Sequence, residues 1–153
     1  MINNQSIVEM GIKAKNAAEF MSEISEKQKN AALEEIKNNL KKFSKEIIYA
    51  NKKDIENANN LNLSSSMIDR LTLNEDRING MIESLGEIIK IHDPVGNIIS
   101  EWDRPNGLHI KKISIPLGVI GLIYESRPNV AIDAAAICIK SGNALILRGG
   151  KDS

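Results

Sequence analysis

Along the first ninety positions apolar residues recur at three- and four-residue steps. Ile7, Met10, Ala14, Ala17, Met21 and Ile24 share one face at helical spacing. A second stripe runs through Leu33, Ile36, Leu40, Phe43, Ile47 and Ala50, and Ser25 with Gln28 places a capping box at its start. The stretch NANNLNLSSS then breaks the period, its serines leading toward a helix cap. Thr72 and Glu75 have capping-box spacing again, ahead of a stripe of Ile78, Met81, Ile82, Leu85 and Ile88. These stripes are interrupted too often for a coiled coil and predict helices packed on a larger body.

At His92-Asp93-Pro94 the period changes. NIISEWDRPNGLHIKKISIP alternates about Arg104-Pro105-Asn106-Gly107, where proline presets one turn torsion and Asn-Gly tolerates positive φ. That predicts a β-hairpin from Ile98 to Ile115. Val119 to Tyr124 is then a short apolar run, a buried strand. Pro128 suits the first turn of a helix, Val130 to Ile139 is apolar nearly all round, and Gly142 stops the helix before a second apolar strand, Ala144 to Leu147. Strand, buried helix, strand is a βαβ unit, whose crossover is expected to be right-handed. A two-stranded parallel sheet with open edges does not complete a fold. The pattern therefore predicts the front end of a longer α/β protein, or a piece that relies on a partner.

Composition narrows the function. The 153 residues carry 20 basic and 20 acidic side chains, a formal net charge of zero. That balance supplies no field to attract a nucleic acid or an anionic membrane. No segment approaches the ~18 apolar residues of a membrane span, and the N-terminus lacks a signal-peptide pattern. The single cysteine, Cys138, excludes an internal disulfide and fits a reducing, cytoplasmic setting. It sits among Ile137, Ile139 and three alanines with no histidine near in sequence, the surroundings of a structural cysteine. His92 and His109 are isolated and suggest no metal site.

Two stretches carry candidate chemistry. Gly149-Gly150-Lys151 resembles the end of a phosphate loop, but G-x-x-x-x-G-K-[ST] would need glycine where Leu145 stands and a hydroxyl where Asp152 stands. The dinucleotide fingerprint is missing too, since Gly118 and Gly121 give only G-x-x-G, ahead of the strand. What remains is position. Loops at the carboxyl ends of parallel strands bind ligands in open α/β sheets, and Arg148 and Lys151 would offer a nucleotide phosphate positive charge there; a solvated loop is the alternative. In YESRPNV, free N–H groups at a helix start with Ser126, Arg127 and Asn129 would suit an acyl phosphate or an oxyanion. In the plainer reading Ser126 caps the helix and Arg127 pairs with Glu125.

IPLGVIGLIYESRPNVAIDAAAICIKSGNALILRGGKDS resembles the start of the cofactor domain in the γ-glutamyl phosphate reductase (glutamate-5-semialdehyde dehydrogenase) family, within the aldehyde dehydrogenase superfamily. SSSMIDRLTLNEDRI and DPVGNI…WDRPNGL resemble the N-terminal half of the same family. The resemblance implies an aldehyde-dehydrogenase-like α/β fold: a helical region over residues 1–93, an oligomerisation hairpin over 97–116, the first βαβ unit of an NADP-binding domain over 117–153, and an absent catalytic domain. It implies NADPH-dependent reduction of L-glutamyl 5-phosphate to glutamate 5-semialdehyde in proline biosynthesis, through a cysteine thioester, by a cytoplasmic homo-oligomer. Arg148, with Gly149, Gly150 and Lys151, falls at the implied cofactor edge, where an arginine suits the 2′-phosphate of NADP. Ser126, Arg127 and Asn129 fall on the implied oxyanion and substrate loop, and Asp69 and Arg70 belong to a family-like DRL. Family members are much longer, and Cys138 does not match their catalytic cysteine, so the chain is expected to be inactive alone. Two other readings stand beside this: a non-catalytic helical module that oligomerises through its hairpin, and a dehydrogenase of the same superfamily acting on another aldehyde or acyl-CoA.

Overall fold

The computed structural model describes residues 4–125 and 127–150, with side chains from residue 6 onward. Helices α1 (Asn4–Glu23), α2 (Glu26–Lys42), α3 (Ser44–Asn60), α4 (Ser65–Leu71) and α5 (Glu75–Lys90) come first. Strands β1 (Ile98–Asp103) and β2 (His109–Ile113) follow, then β3 (Val119–Tyr124), α6 (Asn129–Lys140) and β4 (Ala144–Gly149).

The core forms where α2, α5 and α6 meet, from Leu33, Leu40, Ile78, Met81, Leu85, Ile88 and Ala136. The α5 stripe lies inward as its spacing predicts, with Ile82 at the margin. At the start of α2 the predicted capping box is present: the Ser25 hydroxyl accepts from the Gln28 N–H, and the Gln28 side chain accepts from the Ser25 N–H. The second stripe, however, belongs to two helices. At Phe43 the backbone leaves helical geometry (φ −100°, ψ 12°), ending α2 and starting α3. Phe43 and Ala50 are exposed, and Asn51 and Ala58 are buried in their place. The third capping box is also corrected. Asn74 caps α5 by accepting from the Arg77 N–H at 2.8 Å, while the Thr72 hydroxyl closes α4 by donating to the Ile68 carbonyl at 2.7 Å. In α1 the small residues Ala14 and Ala18 are buried, and Ile7 and Met10 are exposed. Small side chains let this helix approach β3 and β4 closely.

The hairpin is antiparallel, pairing Asp103 with His109 and Ile98 with Ile113, with an irregularity between Ile98 and Ser100. Its turn closes through Gly107 N–H to the Arg104 carbonyl and Arg104 N–H to the Leu108 carbonyl, both 2.9 Å, with Gly107 at φ +84°. A glycine in that region after Pro-Asn is the three-residue hairpin with a bulge that the sequence chemistry favours.

Strands β3 and β4 are parallel, in register from Val119–Ala144 to Tyr124–Gly149. Helix α6 ends in a Schellman pair, Gly142 N–H to the Ile139 carbonyl and Asn143 N–H to the Cys138 carbonyl at 2.8 Å, with Gly142 at φ +71°. The expectation of a helix buried all round fails at Ile137, which is 58% exposed. Pro128 stands at the cap position, with helical torsions.

One polar cluster is buried across these elements. Lys29 Nζ lies 2.8 Å from Asp93 Oδ2, and Lys140 Nζ donates to Asn30 Oδ1 at 2.7 Å and to the Ile89 carbonyl at 3.1 Å. The two lysines are 1% and 3% exposed, so their ammonium groups are paired rather than solvated. Burial raises the Asp93 carboxyl, but the hydrogen bonds from Lys29 and the Val95 N–H, with the charges of Lys29 and Lys140, outweigh it and hold the group below the usual carboxylate range.

Candidate functional site

A cleft of about 400 Å³ opens between the α4–α5 segment and the start of α6. Arg70, Arg77, Ser84, Arg127, Asn129 and Asp133 are among its polar lining residues, with Met81 and Pro128 among the apolar ones. Its volume is within the range of small-molecule sites. Two motifs distant in sequence meet here: the Asp69-Arg70 pair and the Arg127-Pro128-Asn129 loop.

Local hydrogen bonds hold the first wall. Ser64 caps α4 by accepting from the Met67 N–H, as the serine run predicts. The Asn51 side chain donates to the Leu71 carbonyl at 2.8 Å and accepts from the Leu73 N–H at 2.7 Å, clamping the α4–α5 linker from inside the protein. Arg77 completes the clamp by donating to the Asp69 and Thr72 carbonyls and to the Asp69 carboxylate. Sequence reasoning missed both Asn51 and Arg77. The available signal for Asn51 was a polar residue four positions after Ile47, on the inward phase of its helix.

The second wall is held by Asp133. One carboxylate oxygen accepts from Asn129 Nδ2 at 2.9 Å and the other from the Ser84 hydroxyl at 3.4 Å. Asn129 is thus occupied within its own helix turn. No ion pair joins Arg127 to Glu125 among the described residues. The side chains of Arg70 and Arg127 have no hydrogen-bond or ion-pair partner among the described residues, in contrast to that of Arg77.

Arg148 and Gly149 lie apart from the cleft. Arg148 is exposed near the carboxyl end of β4, in register with Ile123, and Gly150 N–H donates to the Tyr124 carbonyl at 3.1 Å. Ser126 and Lys151 lie outside the described residues. Cys138 is buried, does not line the cleft, and has its thiol pushed up by burial. No group of three or more His, Cys, Asp or Glu side chains that could hold a metal exists among the described residues. None of their helices is long and apolar enough to cross a membrane.

No family model matches the chain. The fold is of the aldehyde-dehydrogenase-like α/β class. A Bacillus subtilis structure provisionally described as an aldehyde dehydrogenase superposes with a TM-score of 0.65 over 91% of this chain and 28% of its own, at 18% identity. Within that class the similarity is to γ-glutamyl phosphate reductases. The Bartonella tribocorum protein of that name is 54% identical over 144 residues, covering 94% of this chain and 35% of the relative. The crystal structure of the Thermotoga maritima γ-glutamyl phosphate reductase matches with a TM-score of 0.93 at 40% identity, over 95% of this chain and 35% of that one. The chain therefore spans about a third of the length of the relatives it matches, and its fold is that of their N-terminal portion.

Proposed function

We propose that the chain is the N-terminal portion of a cytoplasmic NADP-dependent γ-glutamyl phosphate reductase, an enzyme that reduces L-glutamyl 5-phosphate to L-glutamate 5-semialdehyde with release of phosphate, as in proline biosynthesis. The observation that carries this reading is the agreement of sequence and fold with reductases of that name over nearly the whole chain.

Within that reaction the chain's own residues bind and orient. The cleft receives the small anionic substrate, with the Arg127-Pro128-Asn129 loop on its substrate side. Arg148, exposed and with no side-chain partner among the described residues, has the chemistry to meet a phosphate, and with Gly149, Gly150 and Lys151 it would hold the ribose-phosphate end of NADP(H). When bound, that cofactor supplies the hydride. Cys138 takes no part: a nucleophile must be an accessible thiolate, and this thiol is buried with its pKa raised. The thiol that would form a thioester is not supplied by these residues, and turnover by the chain alone is expected to be nil. Homo-oligomerisation through the hairpin is part of the same proposal, supported by the exposure of Ile98, Ile99 and Trp102 on β1.

The test is phosphate-dependent NADP reduction with glutamate semialdehyde, measured for this chain and for a chain of the relatives' full length. Turnover only in the long form supports the reading. No turnover in the long form, or activity with other aldehydes alone, refutes it.

A further inference from the structure

The lining of the cleft contains three arginines and two aspartates, leaving one formal positive charge. These groups are not equivalent. Arg77 spends its guanidinium on two carbonyls and the Asp69 carboxylate, so it braces the wall and neutralises Asp69. Asp133 receives its hydrogen bonds from Asn129 and Ser84. The guanidinium groups of Arg70 and Arg127 are left, one from each wall, without partners among the described residues. A guanidinium presents a planar fork of donors that matches a carboxylate or a phosphate. Two such forks on opposite walls of one cleft form a receptor for an oxyanion group.

We propose that Arg70 and Arg127 together bind the oxyanion end of the substrate, Arg70 being a direct ligand and not a surface charge. The substrate class rests on the reductase reading above; the pairing of the two arginines rests on the cleft itself. Arg70 is brought to the ligand by the clamp that Asn51 and Arg77 place on the α4–α5 linker. An oxyanion of this class is either a phosphoryl group or a carboxylate, and separate probes distinguish them.

The experiment is a titration of the 153-residue chain with inorganic phosphate and, separately, with L-glutamate, followed on the arginine side-chain Nε–H signals by NMR. Saturable binding of at least one probe in the millimolar range is expected, weakened about tenfold by either Arg70→Ala or Arg127→Ala, the loss of one charge-assisted contact. Arg104→Ala, at the hairpin tip, should leave binding unchanged. A response to phosphate alone assigns the pair to the phosphoryl end, a response to glutamate alone to the carboxylate end, and a response to both to either end. No saturable binding of either probe, or an equal loss in Arg104→Ala, overturns the proposal. The reductase reading fails independently, through absent turnover in the long form, and that result leaves the titration standing.

Discussion

The helical half and the β segments of this protein bury their apolar residues to very different degrees. In the helical half Leu33 and Leu85 are fully buried and Ile78 is 1% exposed. In the β-strands Ile123 is 80% exposed, Ile99 59% and Ile98 52%. Both regions obey their local rules, since the stripes have the helical period and the strands pair in register. The difference is geometric. Three helices enclose a common interior by themselves, whereas a two-stranded sheet leaves apolar surface that only further layers would cover. Stability within the chain should therefore concentrate at the α2–α5–α6 contact.

The largest expected effect breaks the polar cluster at the edge of that contact. Asp93→Ala leaves the Lys29 ammonium buried without its partner and should cost about 3–5 kcal/mol in urea-induced unfolding. The pH dependence has a definite sign. Because the folded Asp93 carboxyl lies below its unfolded value, its contribution is fully present above the unfolded pKa of about 4 and is lost as pH falls through the folded value. Wild-type stability should fall on acidification below about pH 4, with a shallower slope in Asp93→Asn, and identical slopes would remove Asp93 from the account.

Next is Leu85→Ala, which empties a fully buried position and should cost about 2–5 kcal/mol by the same assay. A loss comparable to that of a surface substitution would mean the helical core is not where stability resides. A smaller effect is expected where the two regions join. At Gly142 a Cβ would stand 3.0 Å from Pro116 Cγ and 3.3 Å from the Met21 carbonyl oxygen, in a residue at φ +71°. Gly142→Ala should cost about 1–3 kcal/mol, read from the denaturation midpoint. The smallest effect is that of Ile123→Ala on β3, within about 0.5 kcal/mol in this chain. A cost above 2 kcal/mol there would show that the β3 face is covered in solution, and would weaken the contrast.

Short-range chemistry explains which features were legible in the sequence. The Ser25–Gln28 box, the Pro-Asn-Gly turn and the Gly142 stop each depend on atoms within six residues of one another, so residue identity is enough to specify them. Thr72–Glu75 looked equally good and failed, because Thr72 already closes α4 and Asn74, one residue before α5, is better placed to cap it. The break at Phe43 was equally hidden. A continuous stripe of apolar spacing describes one long helix or two short ones, and packing chose two, turning Asn51 inward to hold the α4–α5 linker.

The candidate site divides in the same way. Arg127, Asn129 and Arg148 could be picked from the sequence because they flank strand and helix ends, the positions where α/β sheets meet ligands. Their grouping could not. Asn129 proved to be bound to Asp133, Arg148 lies away from the cleft, and Arg70 entered the site from a different helix. Apart from the α2–α3 break, the sequence by itself determined the run of helices and strands, their order and the resemblance to γ-glutamyl phosphate reductases, because helical and strand periods and caps are local properties. Only the tertiary structure decided that Lys29 meets Asp93 across 64 residues and that Arg70 and Arg127 face one cleft. Those pairings depend on how helices pack, and packing is set by the whole core at once, not by any one segment's pattern.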